Sequence, residues 1–167
     1  MPSTVVSLKV NGRAQEFLTR PGTTLLDALR ESLSLTASKK GCAQGTCGTC
    51  TVLLEGKPVF ACLVPVETLA GRSIETLEGL ADGDSLHPLQ ESFIELFATH
   101  CGFCSSGMIM AAKGLLARNS NPSRADVVRA ISGNVCRCTG YEAIIDAVMA
   151  AAAKMKKSIP ARKKAAE

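Results

Sequence analysis

The chain has 167 residues, 46% of them hydrophobic, enough to bury a core without the crosslinks a very small secreted domain needs. Its formal charge of +4 arises at the C-terminal end, where Lys154, Lys156, Lys157, Arg162, Lys163 and Lys164 cluster; the body before them is near neutral. That balance, with five Phe, one Tyr and no Trp to stack bases, argues against a nucleic-acid partner, and no stretch approaches the roughly 18 apolar residues of a membrane span.

The opening MPSTVVSLKVNG lacks the basic-then-apolar pattern of a secretory signal. A cytoplasmic protein is expected, with export beside a signal-bearing partner left open. VVSLKV (5–10) alternates as a half-buried strand does, Asn11-Gly12 supplies a two-residue hairpin turn, and AQEFLT (14–19) returns as the partner strand. Pro21-Gly22 breaks the sheet, and TTLLDALRESL (23–33) places Leu25, Leu26, Leu29 and Leu33 on one helical face. TVLLEG (51–56) and KPVFACLV (57–64) predict a second hairpin and RSIETL (72–77) a last strand. These elements make a small sheet domain over residues 1–77, the first part of an α+β protein.

The period then changes. EGLADGDSLH (78–87), rich in Gly and Asp, reads as a linker. LQESFIELFATH (89–100), GMIMAAKGLLARN (107–119), SRADVVRAIS (123–132) and YEAIIDAVMAAAAKM (141–155) each read as helices. Pro88 suits a first helical turn, and Ser123-x-x-Asp126 has the form of a capping box. Four such helices joined by short loops predict a bundle over residues 88–156, followed by a basic tail, 157–167, expected to be disordered.

The eight cysteines sort into two sets of four. Without an export signal, dense cysteine points to metal or redox chemistry and away from disulfides. Cys42, Cys47, Cys50 and Cys62 follow C-x4-C-x2-C-x11-C, whose opening is that of plant-type ferredoxins. A zinc ribbon presents two C-x2-C knuckles, and only one is present here. Gly41, Gly45 and Gly48 fit a backbone that turns tightly around a cluster and aims amide N–H groups at its sulfurs. Cys101, Cys104, Cys136 and Cys138 follow C-x2-C-x31-C-x-C, one pair at a helix start and the other just before one, so two interhelical loops can face one site. Spacing alone leaves zinc open for this second set.

GCAQGTCGTCTVLLEG, HCGFCSSGMIM and GNVCRCTGYEAI, in this order and spacing, resemble the small iron–sulfur subunit of the molybdenum hydroxylases over about residues 4–155. This is the family of xanthine dehydrogenase and aldehyde oxidase, and it includes the carbon monoxide dehydrogenase small subunits. The resemblance implies an N-terminal ferredoxin-like β-grasp domain and a C-terminal four-helix-bundle domain, each holding one [2Fe–2S] cluster. It assigns Cys42, Cys47, Cys50 and Cys62 to an outer cluster, and Cys101, Cys104, Cys136 and Cys138 to an inner one next to a molybdopterin cofactor. It further implies a large molybdenum-binding subunit that oxidises the substrate, FAD on a medium subunit or another terminal acceptor, and this chain as the relay of single electrons between them. Cys138 is then a second-role residue, lying between inner cluster and pterin. His100 stands where the family usually has Gln in contact with the pterin, and Ser105-Ser106 where it usually has Thr-Pro. His100 is thus either a pterin contact or only a loop residue.

A free-standing ferredoxin-type carrier and a two-zinc structural protein are the alternatives. The sequence shows no nucleophile with its base; His87 and His100 are the only histidines. His87 reads as a surface residue at a helix start, Tyr141 as helix packing, Met108 and Met110 as core, and Lys39, Lys40 and Arg137 as solvated charges that could serve a redox partner or a cluster. The resemblance implies that the substrate pocket lies on another polypeptide, so purines, N-heteroaromatics, aldehydes and carbon monoxide all stay open.

Overall fold

A computed structural model describes residues 3–158. Strands β1 (Thr4–Val10) and β2 (Arg13–Thr19) pair antiparallel, and the Val10–Arg13 pair closes the Asn11-Gly12 turn. Both turn residues have positive φ (50° and 81°), the hand that matches strand twist. Alternation in β1 puts Val6, Leu8 and Val10 inside.

The predicted helix 23–33 is shorter and less regular. Thr24 caps α1 (Leu25–Asp27), which widens at once into a π turn, Ala28–Ser32, closed by the Leu33 N–H on the Ala28 carbonyl at 3.2 Å. Leu25, Leu26 and Leu29 are buried as the apolar period predicts.

A second hairpin joins β3 (Thr51–Leu54) to β4 (Lys57–Phe60) through Glu55-Gly56, again at positive φ (49° and 74°). The strand expected over 57–64 stops at Phe60, and a 3-10 turn, Ala61–Leu63, lifts Cys62 out of the sheet. β5 (Ser73–Glu75) enters the middle, parallel to β1 and antiparallel to β3, giving the order β2-β1-β5-β3-β4. This mixed sheet with α1 across one face is the ferredoxin-like β-grasp arrangement.

Four helices follow: α2 (Pro88–Glu95), α3 (Ser105–Arg118), α4 (Arg124–Ile131) and α5 (Glu142–Ser158). α2 ends well before residue 100, because the Ala98 N–H turns back to the Phe93 carbonyl (3.0 Å) and buries Ala98, while Phe97 takes φ 51°. Ser123 and Asp126 form the expected capping box on α4. α5 runs past its expected end to Ser158, so the first two residues of the predicted basic tail, Lys157 and Ser158, are helical; residues 159–167 lie outside the described residues. The expected linker begins packed, with a 3-10 turn at Leu77–Gly79 and Leu80 buried against the helices.

Two cores result. One fills the space between sheet and α1 with Val6, Leu8, Leu25, Leu29, Val52 and Ile74; the other lies among α2 to α5 around Phe93, Met108, Ile144 and Val148. β3 serves both, since Val52 faces the first core and the next residue, Leu53, the second. The helices therefore dock on the back of the sheet. Gly114 allows it: a Cβ there would lie 2.4 Å from Pro58 Cγ. Among the described residues no helix is long and apolar enough to cross a membrane.

Candidate metal centres

The first set of thiols hangs on the loop 41–50 and the turn beyond β4. The loop coils through left-handed positions at Ala43 (φ 55°), Gly45 (80°) and Gly48 (68°). A Cβ would lie 2.9 Å from Cys47 Sγ at Gly41, 2.5 Å from Leu63 Cδ1 at Gly45, and 2.4 Å from the Gly133 carbonyl at Gly48. The glycines thus provide close approach. Two backbone N–H groups of the loop donate to Cys42 Sγ, those of Gln44 at 3.5 Å and Thr46 at 3.3 Å. With the Thr46 hydroxyl, these donors hold the Cys42 thiol down to about 5. Burial pushes Cys50 up to about 12.

The second set brackets α3. Cys104 is its N-cap residue and Cys101 precedes it, while Cys136 and Cys138 lie on the loop between α4 and α5. Cys101 Sγ and Cys138 Sγ are 3.6 Å apart, both exposed. Their contact raises Cys138. Burial pushes Cys104, which meets Cys136, up to about 12. Burial acts upward on Cys136 as well, but the Thr139 hydroxyl (3.1 Å) and nearby backbone N–H groups outweigh it and lower that thiol. A cavity of about 270 Å³ opens between the four, lined also by Phe103 and Arg137.

This donor set fits metal binding. Cys50 and Cys104 alone would remain neutral thiols at physiological pH, and a bound cation supplies the charge that makes such groups thiolates. Sulfurs approach in pairs: Cys42 with Cys47, Cys50 with Cys62, Cys101 with Cys138, Cys104 with Cys136. Two sulfurs on one tetrahedral metal with bonds of about 2.3 Å stand roughly 3.7 Å apart, close to the Cys101–Cys138 separation. Among the described residues, no group of three or more His, Cys, Asp or Glu converges as it would on a single ion.

The two sets adjoin through residues that the sequence reading passed over. Asn134, 3% exposed, donates from Nδ2 to the Gly48 carbonyl (2.8 Å) and to Thr51 Oγ1 (3.1 Å). The Val135 N–H donates to the Cys47 carbonyl at 2.9 Å. Gly107 of α3 completes the seam, since a Cβ there would lie 2.3 Å from the Gly48 carbonyl. Tyr141 is more than helix packing: its hydroxyl accepts the Cys136 N–H at 2.9 Å. The sequence signal for this seam was an Asn between a glycine and the cysteine pair.

Other expected residues fall as follows. His100 is exposed just before Cys101, and Ser105 Oγ lies 3.1 Å from Thr99 Oγ1. His87 is half-buried and caps α2, its Nδ1 accepting the Leu89 N–H at 3.2 Å; burial lowers its imidazole pKa. Lys40 pairs with Asp27 at 2.8 Å, and Lys39 Nζ donates to the Thr36 carbonyl at 2.8 Å. Arg137 is exposed, and Met108 and Met110 are core.

A sheet domain and a helical domain that each carry four thiols, approaching one another in pairs, have the make-up of an iron–sulfur protein. Comparison with known proteins agrees. Residues 8–77 match the family described as "2Fe-2S iron-sulfur cluster binding domain", and residues 76–149 the "[2Fe-2S] binding domain". The chain is 45% identical over 144 residues to the nicotine 6-hydroxylase small subunit of Paenarthrobacter nicotinovorans, covering 86% of this chain and 87% of that one. Among solved structures, quinoline 2-oxidoreductase from Pseudomonas putida 86 superposes with a TM-score of 0.89 at 46% identity, covering 93% of this chain and 98% of that chain. The aldehyde oxidoreductase of Desulfovibrio desulfuricans matches equally well (TM-score 0.89, 46% identity, 92% of this chain), but there the match spans 17% of a longer chain. The chain belongs to the [2Fe–2S] subunits of the molybdenum hydroxylases, and so to multi-subunit oxidoreductases.

Proposed function

We propose that Cys42, Cys47, Cys50 and Cys62 hold one [2Fe–2S] cluster and Cys101, Cys104, Cys136 and Cys138 a second, within separate domains spanning residues 1–77 and 88–156. When bound, each cluster supplies one-electron carriage. The chain passes electrons from a molybdopterin centre in a large partner subunit toward FAD on a medium subunit, or toward another acceptor. The single observation behind this reading is the seam: Val135, next to Cys136, donates its N–H to the carbonyl of Cys47, so one hydrogen bond joins the backbones of the two thiol sets.

Each end has a distinct surface. Cys101 and Cys138 are exposed together, with His100 alongside, and this face meets the pterin-bearing partner. A neutral imidazole at 100 offers one donor and one acceptor where an amide offers a paired pattern. At the other end the loop around Ala43 and Gln44 is exposed and faces the acceptor. Leu63 packs closely against Gly45. The donors from Gln44 and Thr46 on the Cys42 sulfur stabilise added negative charge there.

Purification of the tagged chain from its host under gentle conditions, with metal analysis of everything retained, tests this. A larger partner carrying molybdenum is expected. A chain that elutes alone with iron but no molybdenum at any salt concentration would support a freely diffusing carrier instead.

A further inference from the structure

Tyr141, the only tyrosine of the chain, takes φ 71°, a left-handed position that bulky side chains rarely adopt. Its surroundings must hold it there, and what it touches is the loop of the second thiol set. The phenol hydroxyl accepts the Cys136 N–H at 2.9 Å and donates to the Asn134 carbonyl at 3.4 Å, bracing both ends of the segment 134–136. The Tyr141 backbone N–H donates to Thr139 Oγ1 at 3.2 Å, and Thr139 in turn donates to Cys136 Sγ at 3.1 Å.

These bonds fix Cys136 at its amide and at its sulfur. With a lone pair of Thr139 engaged by Tyr141, the hydroxyl proton is committed to the sulfur. The counterpart in the first set is less decided: Thr49 Oγ1 lies 3.3 Å from Cys47 Sγ but also donates to the Lys39 carbonyl at 3.1 Å, so two acceptors compete for one proton. The same braced segment carries the Val135 N–H that reaches the Cys47 carbonyl and the Asn134 side chain that reaches Gly48.

We propose that Tyr141 is a positioning residue of the relay: from its strained backbone, one hydroxyl and one amide clamp Cys136 and so hold the hydrogen-bonded bridge between the two thiol sets. The clamp rests on the electron-transfer role given above. It commits the Thr139 hydroxyl to the sulfur, which stabilises the more negative, reduced state of the inner site and raises its potential.

The test uses the intact complex. Tyr141→Phe keeps the ring and removes the brace; it is expected to retain the iron of both sites, weaken the magnetic splitting between their two paramagnetic signals, and slow electron passage from inner to outer site. Thr139→Val is expected to lower the inner-site midpoint potential and leave the outer one in place, with Thr139→Ser restoring it. Wild-type splitting and rate in Tyr141→Phe, or an unmoved inner potential in Thr139→Val, overturns the clamp. Should Tyr141→Phe lose iron, the Thr139 pair decides. A wild-type complex without two such signals contradicts the underlying function itself, and the clamp with it.

Discussion

Gly48 carries two demands at once. Its φ of 68° suits glycine, and a Cβ there would lie 2.4 Å from the Gly133 carbonyl on the loop of the other thiol set. Gly48→Ala is therefore expected to destabilise the protein by about 1–3 kcal/mol through strain and overpacking, read from the shift in its denaturation midpoint. A shift near zero would mean that the seam is looser than described. Asn134→Ala removes one donor from the Gly48 carbonyl, which keeps the Thr51 N–H (3.0 Å) and the Thr51 hydroxyl (2.6 Å), so the expected loss is that of a net hydrogen bond, about 0.5–1.5 kcal/mol by the same measurement. His100→Gln, by contrast, changes an exposed side chain and should leave the iron of both sites intact; loss of inner-site iron would make His100 a support of the fold. At this scale the sequence was legible where chemistry is concentrated. Eight cysteines and three loop glycines could be named from spacing, whereas Asn134, Thr139 and Tyr141 are ordinary loop and helix-start residues until the chain brings position 134 beside position 48.

The helix starts were better foretold than the helix ends. The Ser123–Asp126 box and Pro88 are local signals, complete within four residues, and both stand where expected. The end of α2 depends on Ala98 finding a buried place and an acceptor on Phe93, a tertiary event that the 3.6-residue period cannot report. The π turn after α1 escaped for a similar reason, since widening one turn keeps Leu25, Leu26 and Leu29 on the same face. At the start of α1, Asp27 is held below its usual carboxylate range by Lys40, with Thr24 assisting against the upward effect of burial. A carboxyl lowered on folding stabilises the native state above its ordinary value of 3.8, and that contribution is lost as pH falls through the lower folded value. Hydrogen exchange at the α1 amides should accordingly be slower in wild type than in Asp27→Asn at neutral pH. The difference should vanish in acid; a constant difference would exclude the linkage. Gly114→Leu tests the docking of α3 on the sheet, because its side chain must displace Pro58; a loss of about 1–3 kcal/mol is expected from the same denaturation experiment.

Over the whole molecule, two cores share one strand, and the two thiol sets meet where those cores meet. Leu53 and Val52 point to opposite cores, Gly107 and Gly114 bring α3 onto the sheet, and the loops at 47–48 and 134–135 close over the end of that contact. Stability of the seam and passage between the sites thus depend on the same few glycines and amides. The α+β division was readable from the change in apolar period near residue 77, but the back-to-back docking was not, because a buried Leu on a strand looks the same whichever core it enters. The most direct measurement is iron analysis joined to electron paramagnetic resonance on the anaerobically purified, fully reduced complex. About four irons per chain and two distinct [2Fe–2S] signals are expected; zinc in either thiol set, or a single signal with half that iron, would contradict two four-thiol clusters on this chain.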